Sequence, residues 1–93
     1  MDQRQHNRWP QAGEATAFCL GGPQFGQIVD LKMFDMGHGG VGALSREPIE
    51  PGMSLSIGFE HSDFTARHGN VVACTPLDEG YRLAIRFEHA LAA

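Results

Sequence analysis

Ninety-three residues, 42% of them hydrophobic, suit one globular domain with a modest core and are too apolar for a disordered chain. A formal net charge of −4 argues against general affinity for DNA, RNA or an anionic membrane surface, since these need clustered positive charge. No run of about 18 apolar residues is present to insert into a membrane, and the opening MDQRQHNRWP lacks the apolar segment of a secretory signal; a cytoplasmic location is expected.

Along the chain, residues 1–13 hold Pro10, Gly13 and mostly polar side chains without apolar periodicity, and read as a flexible arm. Glu14–Leu20 is a first strand, ended by the turn Gly21-Gly22-Pro23. Phe25–Phe34 is a second, carried by Ile28, Val29, Leu31 and Met33. Residues 35–40, DMGHGG, form a glycine-dense connection, and Val41–Ser45 a short third strand. Pro48, Pro51 and Gly52 punctuate the next link. In Met53–Glu60, Met53, Leu55, Ile57 and Phe59 alternate with Ser54, Ser56, Gly58 and Glu60, which puts four apolar side chains on one face of a strand.

His61, Ser62 and Asp63 make a turn. Phe64–Thr75 is a long strand in which Gly69 weakens the pattern or marks a bulge. Pro76–Gly80 turns the chain again. Tyr81, Leu83, Ile85 and Phe87 alternate with Arg82, Ala84 and Arg86 in the last strand, and residues 88–93 form at most one helical turn. Helical spacing is nowhere sustained over about 12 residues, and strands recur at roughly 10-residue intervals between turn signals. That pattern predicts an antiparallel sandwich or barrel, and closure into a barrel removes exposed edges in so short a chain.

Catalytic chemistry finds little support. Gly37, Gly39 and Gly42 spell G-x-G-x-x-G, but the two prolines in residues 43–52 deny it the helix that a dinucleotide site needs. The glycines read as hairpin turn residues. His61, Asp63 and His68 are the nearest grouping of metal-binding types, without H-x-x-x-H or C-x-x-C spacing. Gly52-Met53-Ser54-Leu55-Ser56 fails G-x-S-x-G at its last position. Neither a nucleophile–base pair nor a metal set emerges, so the expectation is a binding domain and not an enzyme, with no cofactor. Cys19 and Cys74 are too few for a disulfide framework; buried thiols in a reducing compartment are expected, and the sequence leaves their pairing open.

Two features point to a ligand. Arg4 and Arg8 stand four apart on the arm, with Trp9 and Pro10 directly after them. Such residues often belong to a solvated terminus. The planar guanidinium also clamps a phosphate, or the O6/N7 edge of guanine, with two hydrogen bonds and stacks on bases. The lone Trp9 reads as a packing residue. Asp35, placed before the glycines, is either a turn aspartate or an acceptor for the N1–H and N2–H₂ of a guanine. The glycines let a ligand approach the backbone closely.

Together these motifs resemble the PilZ domain, the bacterial receptor module for cyclic di-GMP. The family's R-x-x-x-R motif reads Arg4-Gln5-His6-Asn7-Arg8 here, and its [D/N]-x-S-x-x-G motif reads Asp35-Met36-Gly37-His38-Gly39-Gly40. Residues 81–87, YRLAIRF, look like the family's closing strand, with Ala84 where a glycine is frequent. The resemblance runs from Arg4 to about Phe87. It implies a single domain over residues 1–93: an arm at 1–13, a six-stranded antiparallel β-barrel at 14–87 and a tail at 88–93.

The resemblance also implies roles. Arg4 and Arg8 would bind guanine edges and phosphates and stack on the bases. Asp35 would read the Watson–Crick edge of a guanine, and Gly40 would supply the turn and close approach. Gly37 departs from the pattern by replacing the serine, a loss worth about 0.5–1.5 kcal/mol, or roughly tenfold in affinity. The implied function is a receptor whose arm orders on cyclic di-GMP and signals to a downstream protein. The alternative is a degenerate barrel of this fold that binds protein and no nucleotide.

Overall fold

The computed structural model describes residues 13–59 and 66–88. Among them the chain forms six strands: β1 (Gly13–Cys19), β2 (Ile28–Met36), β3 (Gly40–Ser45), β4 (Ser54–Phe59), β5 (Arg67–Pro76) and β6 (Tyr81–Phe87). They close into an antiparallel barrel in the order β1-β2-β3-β6-β5-β4, with β1 also paired to β4. The only other regular element described is a 3-10 turn, Gly22–Gln24, opened by Pro23 near its start. Patterning leaves a sandwich or a barrel open; the six-stranded antiparallel barrel that the resemblance implies is the observed fold.

Alternation decides which side chains fill the interior. In β4 the buried Leu55 and Ile57 follow the expected pattern, with Met53 buried just before the strand. In β6 Leu83, Ile85 and Phe87 point inward. Small residues face these large ones across the ladders. Ala17 pairs with Ile57 and Ala43 with Leu83, and both alanines are fully buried. Alternating small and large interior residues fill a narrow barrel without overlap. Ile49, fully buried, comes from the β3–β4 connection and adds to the same core. Burying one such Ile or Leu side chain contributes about 1.5–3 kcal/mol.

The one buried polar side chain among the described residues is Ser45. Its hydroxyl donates to the Glu47 carbonyl at 2.7 Å and accepts from the Glu47 N–H at 3.0 Å, so it ends β3 in a satisfied turn. The cysteines are both free thiols. Cys19 is buried and Cys74 half-buried, and burial pushes the Cys19 thiol above its ordinary pKa.

Details of the strands differ from the pattern-based reading: β1 begins at Gly13, which that reading assigns to the arm, and ends at Cys19, β3 begins at Gly40, and β5 begins at Arg67. Residues 25–27 belong to the turn, because the chain reverses through Gly26 at φ +89°, and β2 begins at Ile28. β5 runs on through Pro76, which pairs with Tyr81. Gly69 is not bulged. It pairs regularly with Phe87, and a side chain there would press on the Arg86 carbonyl. The bulge in β5 falls at Val72. The expected turn at 61–63 lies outside the described residues, as does all of the expected helical turn at 88–93 except Glu88, which is not helical. No described helix is long and apolar enough to cross a membrane.

Candidate functional site

Asp35 was expected in the loop after β2, but the strand continues through Met36. Strict alternation from Val29, Leu31 and Met33 would then aim Asp35 into the apolar interior, where an unpaired carboxylate is prohibitively costly. A bulge resolves the conflict. The β2–β3 register pairs Met33 with Ala43 and Asp35 with Gly42, which leaves Phe34 as the extra residue. Phe34 and Asp35 both turn outward, and Met36 returns to the core.

A second bulge lies in the same row. β5 pairs Val71 with Ile85 and Ala73 with Ala84, leaving Val72 unpaired and half exposed. Across the barrel wall the row reads Asp35–Gly42–Ala84–Ala73. Its middle is low because Gly42 and Ala84 carry almost no side chain. The bulged Phe34 and Val72 flank it, with the Phe34 ring leaning over Gly42. The result is an open groove of about 700 Å³ on the outer face of β2, β3, β6 and β5.

The β2–β3 turn forms one end of the groove. The Gly37 N–H donates to the Gly40 carbonyl at 2.9 Å, and the Phe87 N–H donates to the Gly39 carbonyl at 2.9 Å, which ties the turn to β6. Gly40 sits so close to β6 that an added Cβ would collide with the Ile85 carbonyl. This glycine is therefore required by backbone contact, whatever else it does. Gly42 differs. A Cβ there would lie 2.8 Å from Cζ of Phe34, so the ring covers this floor position.

The structure thus brings Asp35, Gly37 and Gly40 to one groove. Arg4 and Arg8 lie outside the described residues. The same groove holds residues that motif reading passed over, among them Phe34, His38, Arg82 and Arg86. For the arginines a signal was present. Period-two alternation in residues 81–87 puts Arg82 and Arg86 outside with Ala84 between them, and only the pairing of β6 with β3 adds that Asp35 stands across from them. Arg82 leans toward Phe34, with its guanidinium carbon 6.0 Å from the ring centroid. A groove with a carboxylate, two guanidinium groups and an exposed aromatic face can hold a planar, hydrogen-bonding anion.

Elsewhere the surface has a different character. Phe25 and Ile28 are about two-thirds exposed, and Phe18 meets Phe25 edge-on at 6.2 Å. Among the described residues no group of three or more His, Cys, Asp or Glu side chains is arranged to hold a metal ion. No protein-family model matches the chain, and no curated protein matches it.

Proposed function

We propose that this chain is a receptor domain of the PilZ type that binds cyclic di-GMP, with no bond made or broken. The observation that carries this reading is the Phe34 bulge, which turns Asp35 outward beside the Gly37–Gly40 turn. A carboxylate so placed is suited to accept from the N1–H and N2–H₂ of a guanine. The neighbouring, partly exposed Phe34 ring offers a flat face for a base. Arg4 and Arg8 would close over the ligand from the arm, and the ordered arm with its nucleotide would present a new surface to a downstream protein.

The test is calorimetric titration with cyclic di-GMP on the wild-type chain, Arg8→Ala and Asp35→Ala. Binding by the wild type, weakened at least about tenfold in either variant, is the expected result. A folded wild-type chain that gives no heat at high micromolar nucleotide contradicts the proposal.

A second reading is a barrel of this fold that binds protein and no nucleotide. Two observations favour it: Gly37 stands where the family motif has serine, and Phe18, Phe25 and Ile28 expose apolar surface away from the groove. Gly37→Ser separates the readings. It tightens cyclic di-GMP binding by up to roughly tenfold in a working site, and leaves a nucleotide-free barrel unchanged.

A further inference from the structure

We infer that Arg82 and Arg86 form a second cation pair, built into the barrel wall, that grips the phosphates of the bound nucleotide across the groove from Asp35. The inference rests on the nucleotide-receptor reading and adds to it a part of the site that neither motif contains.

Position is the first support. Arg82, Ala84 and Arg86 face outward on β6, while Leu83, Ile85 and Phe87 are buried. The two arginines stand four residues apart, roughly 13 Å along an extended strand. Only the Ala84 methyl rises between them. Asp35 lies two strands away across Gly42, roughly 10 Å at ordinary strand spacing. Both arginines line the same groove as Asp35.

Chemistry is the second. A cyclic dinucleotide carries two phosphates at the joints between two flat bases, so it asks for separated positive charges flanking a low floor. Arginine meets a phosphate with two parallel N–H donors, which a solvated lysine does not reproduce. Contact with the Phe34 ring restrains the Arg82 side chain, so less freedom is lost on binding. Both arginines stand at exposed positions of the wall, and the described contact of the Arg82 guanidinium is with the Phe34 ring and not with a carboxylate. In a chain of net charge −4, this pair concentrates positive charge on one face.

The wall pair acts separately from the arm. It is already in place on the barrel, so nucleotide meets two cations there before Arg4 and Arg8 engage. The arm variant Arg4→Ala/Arg8→Ala should therefore retain weak binding, which further replacement of Arg86 removes.

The experiment is cyclic di-GMP titration by calorimetry on the wild type, Arg82→Ala, Arg86→Ala and Arg86→Lys, each checked by thermal unfolding. Arg82→Ala and Arg86→Ala should each weaken binding about tenfold or more. Arg86→Lys should recover part of the loss, because the charge returns without the paired donors. If Arg82→Ala also lowers the melting temperature through its lost contact with Phe34, Arg82→Gln keeps the stem and reads the charge alone. Wild-type binding with both alanine variants within twofold overturns the inference and leaves the receptor reading standing. Absence of wild-type binding overturns both.

Discussion

The two sides of this barrel are built on different rules. On the β1–β4 side alternation is unbroken: Ala15, Ala17 and Cys19 interleave with Thr16 and Phe18, and Leu55 and Ile57 with Ser56 and Gly58. Every pair from Ala15–Phe59 to Cys19–Leu55 is in register. On the other side, β2 and β5 each carry an extra residue in the same row, and those residues flank a groove. The regular side can be read as scaffold. The irregular side spends two ladder positions to turn Asp35 outward and to flank Gly42 and Ala84 with Phe34 and Val72. Irregularity confined to one face is what a built site produces, because a bulge re-aims a side chain at a cost to pairing.

The largest effect that would sharpen this division is on the scaffold. Leu55→Ala should cost about 3 kcal/mol of stability, since Leu55 is fully buried and its loss leaves a cavity. Chemical denaturation would measure it, and the folded fraction should keep its affinity for cyclic di-GMP. On the groove side, two glycines should part company. Gly40→Ala drives a methyl group into the Ile85 carbonyl and should cost about 1–3 kcal/mol. Gly42→Ala meets only the Phe34 ring, a side chain that can swing. It should cost less than about 1 kcal/mol while filling the floor and weakening the ligand. Equal stability losses at the two glycines would break the distinction between backbone contact and groove floor.

The smallest effect is on thiol reactivity. Cys19 is buried with its pKa raised by desolvation, so at neutral pH it carries less thiolate than an ordinary cysteine. A maleimide or disulfide reagent should label the half-buried Cys74 first, and Cys19 only as the barrel opens. Cys19 should need a more alkaline pH than an ordinary thiol for fast labelling, because its raised pKa delays its thiolate.

Most of the barrel was legible because its strands obey period two. Met53 to Phe59 and Tyr81 to Phe87 could be assigned to a face from sequence, and their burial agrees. Asp35 could be singled out as a residue, but its placement could not. Nothing in FDMG signals that Phe34 is the extra residue, because a bulge is a relation between two strands, fixed here by how the turn after Met36 registers β3 on β2 and not by the residues of β2 alone. The same holds for Val72. Arg82 and Arg86 show the converse. Their outward direction was legible, while their nearness to Asp35 depends on β6 pairing with β3, a contact some forty residues apart. Registry across strands, more than the character of any residue, is what the one-dimensional pattern lacks.

The measurement that tests the central claim most directly is a nitrogen–proton NMR titration of the labelled chain with cyclic di-GMP. The account predicts that amide shifts concentrate at residues 34–42 and 82–86, with Ala15–Phe18 and Ser54–Gly58 unmoved. Saturable shifts centred on the β1–β4 side, or on the Phe18–Phe25 surface with the groove silent, would contradict it.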